Sequence, residues 1–305
     1  MNVFITGATG FVGRNVLEKI LQKNVNVKVL IRDYRKLEKI FKSFPNKSYL
    51  KNVEIINGDI TLPESYSHYL KDVDVVLNLV GIIREFPKRG ITFWKYHYEA
   101  TKNLVDNSLK YGVKRFIQMS ALGASGTTKS QYYLTKYKAE KYVIESFENW
   151  IVLRPSIIIG PDGEFTRLIY SMVRIGIVPI IGDGSYVIRP ISITTLSNFI
   201  SYLITEPSIN KKEFNLVGPK EYTYKEFIDT FASAIGKRNY TKVHLPVPLV
   251  RFFASIFGRF RFFPITSENL DMLLKGNTFY FDVLEKMPIK NIPIEEEIKK
   301  LRYER

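Results

Sequence analysis

Residues 6–13 read TGATGFVG and follow directly on an apolar run, Val3-Phe4-Ile5, at the point where a helix ending near Leu21 is predicted to begin. Glycines in such a strand-to-helix turn let the backbone bend tightly and approach a pyrophosphate, whose charge the helix N-terminus stabilises. The spacing is GxxGxxG rather than GxGxxG, so the position of the turn matters more than the glycines alone. We therefore predict a nucleotide-binding loop with these contact residues: Gly7, Thr9, Gly10, Phe11, Val12 and Gly13.

Strand and helix patterns alternate through the first 155 residues. Strands this apolar are buried on both faces, as a parallel sheet requires. The alternation predicts an α/β fold, a doubly wound parallel sheet of the Rossmann type, over residues 1–155. A smaller, more irregular part that binds substrate or a partner and packs on the first is predicted over residues 156–305. The strand candidates after the first are residues 27–31, 53–57, 73–80, 115–119 and 150–153, and the helix candidates are residues 35–41, 93–111, 132–147 and 223–235.

Composition excludes several kinds of site. The 305 residues include no cysteine, which excludes disulfides, zinc–thiolate sites and thiol nucleophiles, and the three histidines are scattered, so no metal is predicted. Neither a signal-peptide pattern nor an apolar run of the roughly 18 residues that span a bilayer is visible, which predicts a cytoplasmic protein. The formal charge of +15 fits solvated helix faces, or attraction to an anionic cofactor or membrane surface. No nucleic-acid module accompanies the charge, so no nucleic-acid partner is predicted.

The end of the second predicted strand indicates which dinucleotide is bound. Arg32 and Asp33 stand about 20 residues beyond the glycines, where the residue that selects the cofactor is expected. An acid there would hold the ribose 2′-hydroxyl of NAD, whereas an arginine would pair with the 2′-phosphate of NADP. Arg32 comes first, so the sequence favours NADP(H), with NAD as the second choice, although an ordinary exposed strand end could carry the same charges.

The chain resembles extended or atypical members of the short-chain dehydrogenase/reductase superfamily. Besides the first loop, the matching pieces are residues 58–60 (GDI), 78–81 (NLVG) and 120–124 (SALGA), together with Tyr132 and Lys136. The resemblance implies that the third-strand end lies by the adenine and that the fourth-strand end lines the cofactor path. The further cofactor-binding residues it implies are Asp59, Ile60, Asn78, Val80, Gly81 and Lys136.

Within the superfamily, the chain is similar to the branch that contains the NADPH-binding accessory subunit of respiratory complex I and its prokaryotic relatives. The segments that carry this similarity are residues 74–81 (DVVLNLVG), 120–124, 214–219 (FNLVGP) and 245–248 (LPVP). The resemblance implies an NADP(H)-binding protein that transfers hydride to a carbonyl substrate. An NAD-dependent nucleotide-sugar epimerase or dehydratase and a non-catalytic nucleotide-binding subunit remain as alternatives.

Tyr132 and Lys136 lie one helical turn apart, so their side chains emerge from the same face. An ammonium there can lower the pKa of the tyrosine, which then exchanges a proton with a carbonyl or hydroxyl. Tyr133 and Tyr137 offer a competing register without the lysine. Ser120 is the hydroxyl nearest to the place where the family polarises its substrate, although Ala121 could occupy that slot. His97 stands where many relatives have an asparagine of the proton relay.

Segment 249–263 has a clear helical pattern. Its apolar side chains fall on one face, which either packs on its own domain or meets an anionic membrane surface or subunits of a respiratory complex. The second possibility would place the protein peripherally on the inner face of a membrane. The residues of this face are Leu249, Phe252, Phe253, Ile256, Phe257 and Phe260.

Overall fold

The computed structural model describes residues 1–258, 260, 265–280 and 282–301. The strands are β1 Asn2–Thr6, β2 Asn26–Ile31, β3 Val53–Asn57, β4 Val75–Asn78, β5 Arg115–Met119, β6 Trp150–Pro155, β7 Ile158–Ile159, β8 Ile177–Ile181, β9 Val187–Ile188, β10 Ile191–Ser192, β11 Lys212–Leu216, β12 Tyr222–Thr223 and β13 Thr241–Leu245. The α-helices are α1 Phe11–Leu21, α2 Tyr34–Ser43, α3 Ala100–Lys110, α4 Gln131–Ser146, α5 Glu164–Ile175, α6 Ile193–Thr205, α7 Tyr224–Ile235, α8 Val247–Phe257, α9 Ser267–Leu274 and α10 Ile294–Lys300.

The first of two compact units is built on a seven-stranded sheet. The strand order is β11-β6-β5-β4-β1-β2-β3, and the pairs from β3 to β6 are parallel. The order 3-2-1-4-5-6 is that of a doubly wound dinucleotide-binding sheet, in which the connections reverse direction between β1 and β4. The predicted doubly wound fold is therefore confirmed.

Burial explains why these segments form central strands. All five residues of β5 are buried, as are all four of β4, so neither strand has a polar face. Phe4, Phe116 and Tyr66 are fully buried and belong to one apolar cluster with residues of α3 and α4. The α-helix predicted over residues 93–111 is α-helical only from Ala100 onward. Trp94–Glu99 before it is a π-helical stretch that leads into α3.

The chain leaves this unit and returns to it. The first unit comprises Met1–Arg154 and Ser197–Phe214, and the second comprises Pro155–Leu196 and Asn215–Arg305. The sequence analysis placed one boundary at residue 155 and did not predict that residues 197–214 belong to the first unit. Contacts between residues far apart in the sequence place them there. Strand β11 extends the sheet beside β6, and the Ser201 hydroxyl donates to the Lys19 carbonyl near the end of α1.

Arg115 fixes the returning segment. Its side chain is buried, and its guanidinium donates to the backbone carbonyls of Leu203 at 2.8 Å and Glu206 at 3.0 Å, and also to that of Ile209. Carbonyls at a helix C-terminus have no partner within the helix. One arginine on β5 therefore satisfies the end of α6 and the turn after it.

The second unit has its own apolar core around α7. Phe227, Phe231 and Ile228 are fully buried there. Thr223 and Glu226 form a capping box at the start of this helix, and Gly236 ends it in the left-handed conformation, as the sequence pattern predicts. Among the residues that the structure describes, no helix combines the length and apolarity needed to traverse a bilayer.

Replacing Arg115 with methionine tests how strongly the returning segment depends on it. Arg115→Met leaves three carbonyls without their charged donor, so we expect the free energy of unfolding to fall by about 2–4 kcal/mol. Urea denaturation followed by circular dichroism measures this change. Lys114→Met is the control, because the Lys114 side chain is 77% exposed and pairs only with Asp74 at the surface. Equal, small effects of both substitutions would contradict the role of Arg115.

Candidate functional site

The turn after β1 has the shape of a phosphate-binding loop. Gly10 N–H donates to the Gly7 carbonyl at 3.0 Å, and Gly7 has a φ of +73°, which favours glycine. A Cβ atom on Gly13 would lie 2.1 Å from that same carbonyl oxygen, so only glycine permits this approach of α1. Gly10 occupies the N-cap position and offers no side-chain acceptor, which leaves first-turn N–H groups for an anion. The loop therefore fits a dinucleotide pyrophosphate.

A cleft with about 700 Å³ of empty space opens beside this loop. It lies at the carboxyl ends of β1, β2, β3 and β4, where a doubly wound sheet binds its ligand. Seven of the sequence-predicted residues line the cleft: Gly7, Thr9, Gly10, Arg32, Ile60, Val80 and Gly81. Leu79, in the predicted segment 78–81, lines the cleft as well, and six lining residues were not predicted: Thr6, Leu30, Ile31, Gly58, Ile82 and Tyr96. Five of these six lie at or just beyond strand ends, within two residues of a predicted position, whereas no sequence signal marked Tyr96.

The other predicted cofactor-binding residues lie behind this lining. Phe11, Val12 and Gly13 form the first turn of α1. Asn78 is buried, and its amide accepts from the Thr6 hydroxyl at 2.6 Å and donates to Gln118 at 2.9 Å. Its oxygen also accepts from Val80 N–H at 3.3 Å. Asn78 thus holds the ends of β1 and β4 in place rather than facing the cleft.

Three side chains meet at the ends of β2 and β3. The Arg32 guanidinium donates to the Tyr96 hydroxyl at 3.1 Å and lies 3.6 Å from the Asp59 carboxylate. Asp59 also accepts from the backbone and hydroxyl of Thr61, which fixes its orientation. The Arg32 side chain is 63% exposed, so its charge is held at the edge of the cleft but remains accessible.

Asp33 is the N-cap residue of helix α2. Its carboxylate accepts from Arg35 N–H at 3.0 Å and caps the N-terminus of α2. The first turn of α2 contains Arg35 and Lys36 and no acid, which the helix dipole disfavours unless an anion is near. The end of β2 therefore presents the exposed Arg32 guanidinium beside two basic residues of α2.

Helix α4 carries the predicted catalytic pair. The Lys136 ammonium donates to the Met119 carbonyl at 3.2 Å and to the Val80 carbonyl at 3.5 Å, so it lies at the ends of β4 and β5. Burial lowers the pKa of Lys136 to about 8, and the charge of Glu140, which acts to raise this pKa, only partly offsets the effect. Tyr132, partly exposed, packs edge-on against Phe93 and His97. The competing Tyr133 instead packs its ring against Gly123.

The expected depression of the tyrosine pKa is not found in this structure. Burial raises the pKa of Tyr132 above its ordinary value, and the neighbouring Tyr133 adds to the effect. Tyr132 is therefore a proton donor at neutral pH rather than a ready base.

His97 is a buried, neutral connector. Its Nδ1 lies 3.0 Å from the Thr135 hydroxyl. Its Nε2 lies 3.1 Å from both the N–H and the carbonyl oxygen of Ile82. Burial and the Lys136 charge hold the pKa of His97 well below its usual range. The ring thus ties α4 to the segment after β4, and both its nitrogens are occupied.

Ser120 occupies an unusual position. It is buried, its N–H donates to the Leu153 carbonyl at 2.7 Å, and its hydroxyl has no hydrogen-bond partner among the described residues. A buried hydroxyl without a partner costs free energy and often marks a place where a ligand completes the bonding. The role predicted for Ser120, polarisation of the substrate oxygen, stays a prediction.

Comparison with known proteins gives relatives of the predicted branch. The chain is 24% identical to the mitochondrial NADH-ubiquinone oxidoreductase 40 kDa subunit of Neurospora crassa, over 87% of this chain and 68% of the relative. It is 25% identical to the mouse mitochondrial NADH dehydrogenase [ubiquinone] 1 alpha subcomplex subunit 9, over 99% of this chain and 80% of the relative. It is also 25% identical to a ceramide reductase of Caulobacter vibrioides, over 81% and 74%. The predicted kinship with complex I accessory subunits is confirmed.

Solved structures share the fold. Pal from Bacillus thuringiensis superposes with a TM-score of 0.78 at 16% identity, covering 99% of this chain and 98% of that protein. The UDP-glucose 4-epimerase of Thermotoga maritima gives 0.72 at 21% identity, covering 100% and 98%.

A family model described as NAD(P)H-binding matches residues 7–171. This range begins in the glycine loop and includes the cleft-lining residues at the ends of β2, β3 and β4, as well as Tyr132 and Lys136 on α4. The chain therefore belongs to the NAD(P)H-binding family.

Proposed function

We propose that the protein is an NADP(H)-dependent reductase of a carbonyl substrate. The observation that carries the proposal is the placement of Lys136, which follows Tyr132 by one turn of α4. Its ammonium contacts the carbonyl of Val80, a residue that lines the cleft. Bound NADPH supplies the hydride that a carbonyl carbon accepts. Lys136 and Val80 would hold the nicotinamide ribose, and the Tyr132 hydroxyl would donate the proton that converts the carbonyl oxygen into a hydroxyl.

The protonation of Tyr132 is compatible with the proposed reduction. The hydroxyl keeps its proton at neutral pH, and burial raises its pKa further. Reduction of a carbonyl requires such a donor. Arg189, one of two arginines that could contact a sugar-nucleotide phosphate together with Arg167, is nearly enclosed and donates to the carbonyls of Gly218 and Phe279. These contacts make nucleotide-sugar chemistry the weaker proposal.

A nucleotide-binding subunit without turnover is the second candidate. It is favoured by the relatives named as subunits of mitochondrial NADH dehydrogenase. In that case the cleft binds the cofactor for stability and the partners are respiratory-complex subunits. Substitution of Tyr132 separates the two candidates.

Tyr132→Phe removes the proposed proton donor and keeps the ring. We expect kcat/KM for NADPH oxidation with a panel of aldehydes and ketones to fall about 100-fold or more, while the Kd for NADPH stays nearly unchanged. Tyr137→Phe, on the same helix, is the matched control and should retain full activity. A protein that binds NADPH but oxidises it with no member of the panel would favour the subunit candidate.

Arg32→Ala tests the choice of cofactor. Loss of a charged donor to the 2′-phosphate should weaken NADP binding by about 10–100-fold in calorimetry and leave NAD binding nearly unchanged. Lys42→Ala, at the far end of α2, should change neither affinity. An equal loss for both dinucleotides would contradict the preference for NADP.

The pKa of Lys136 predicts a pH limit on activity. The ammonium is present below about pH 8 and lost above it, so kcat/KM should fall as the pH rises through that value. Activity measured from about pH 6 to 10, with NADPH affinity followed in parallel, checks this limb. A profile that stays flat past pH 9 would show that the Lys136 charge is not used.

A further inference from the structure

Helix α8 presents an apolar face to solvent. Val250 and Ala254 on its other side are buried, where Val250 packs with Ile181 and Leu270. The face predicted to pack on its own domain is largely outside this contact, although Phe257 is half-buried and stacks on Phe253. The exposed members are Leu249 at 47%, Phe252 at 59%, Phe253 at 40% and Ile256 at 38%, with Phe260 beyond the helix at 41%. We call these five residues the α8 face.

The sequence segment that contains α8 has basic residues and no acidic ones. Residues 230–267 contain no Asp or Glu. Their Lys and Arg residues are Lys237, Arg238, Lys242, Arg251, Arg259 and Arg261. Arg259 and residues 261–263, at the end of the sequence-predicted segment 249–263, lie outside the described residues and contribute here through their charge alone.

We propose that the α8 face docks into the interface of an anionic lipid bilayer, with the helix lying in the membrane plane. Exposed phenylalanines and leucine bury apolar area at the boundary between headgroups and acyl chains, and nearby cations attract anionic headgroups. A helix of 11 residues is too short to span a bilayer but long enough for such a contact. The proposal concerns a surface of the second unit and does not depend on the reaction proposed for the cleft.

The basic charge near α8 favours an anionic lipid surface, rather than a second copy of the chain, as the partner of the α8 face. Two α8 faces brought together would place two copies of residues 230–267, which contain six Lys or Arg residues and no Asp or Glu, near each other. Like-charge repulsion opposes such a contact, although Arg251 of α8 is paired with an acid, Asp271. An anionic bilayer supplies both the apolar phase and the opposite charge. Arg251 is the one cation of the helix itself, and its ion pair with Asp271 at 2.6 Å is half exposed and so open to exchange for a headgroup phosphate.

Vesicle co-sedimentation of the full chain tests the proposal. With vesicles of phosphatidylcholine containing about one-third phosphatidylglycerol, we expect binding at least tenfold tighter than to pure phosphatidylcholine, and weaker binding at about 0.5 M salt. Phe252→Gln should reduce the binding by roughly tenfold. Leu249→Gln should reduce it as well, whereas Leu109→Gln should not, because Leu109 is also a helical leucine, 46% exposed, on α3 of the first unit.

The outcomes are distinct. Thermal melts and NADPH binding confirm that each variant is folded and that its cleft is intact, so a failure of the membrane proposal is separable from a failure of the reductase proposal. Absence of the wild-type chain from both vesicle pellets would overturn the membrane proposal. Sedimentation velocity that shows a dimer lost in Phe252→Gln would overturn it in favour of a second copy.

Discussion

The contact between the Gly7 carbonyl and the backbone of α1 at Gly13 is the constraint on which the site depends. With 2.1 Å between that oxygen and the place of a Cβ, no side chain fits at Gly13 without moving the helix. The approach brings the N-terminus of α1 over the end of β1, where the order of the parallel strands reverses between β1 and β4 and a cleft opens. Both the charge of the helix end and the shape of the cleft follow from this one packing contact.

A buried polar network transmits that arrangement to the rest of the cleft. Asn78 joins the Thr6 hydroxyl, Gln118 and Thr101, so the ends of β1, β4 and β5 and the start of α3 share one set of hydrogen bonds. Buried polar groups of this kind fix a unique geometry when each has a partner. His97 continues the connection from the segment after β4 to α4. Lys136 on the same helix then donates to the carbonyls of Met119 and of the cleft-lining Val80.

The sequence predicted what depends on local pattern. Strands β3 and β5 lie where the apolar runs placed them, and α7 ends at Gly236 as its capping signals indicate. It could not predict what depends on tertiary neighbours. Tyr96 reaches Arg32 because a π-helical stretch directs it there, and no spacing rule encodes that stretch. The return of residues 197–214 likewise rests on Arg115 and its three carbonyls, which are far apart in the sequence.

Two features that local sequence patterns leave open depend on burial. The Tyr132–Lys136 spacing predicts a lowered tyrosine pKa only if the ammonium field exceeds the desolvation of the hydroxyl, and burial decides that balance. The periodicity around α8 identifies an apolar face but not which side of the helix meets the domain. Val250 packs with Ile181 and Leu270, and Ala254 is buried as well, whereas Phe252 and Phe253 are exposed. Hydrophobic pattern thus indicates that a face needs a partner, and only packing determines whether the domain itself supplies one.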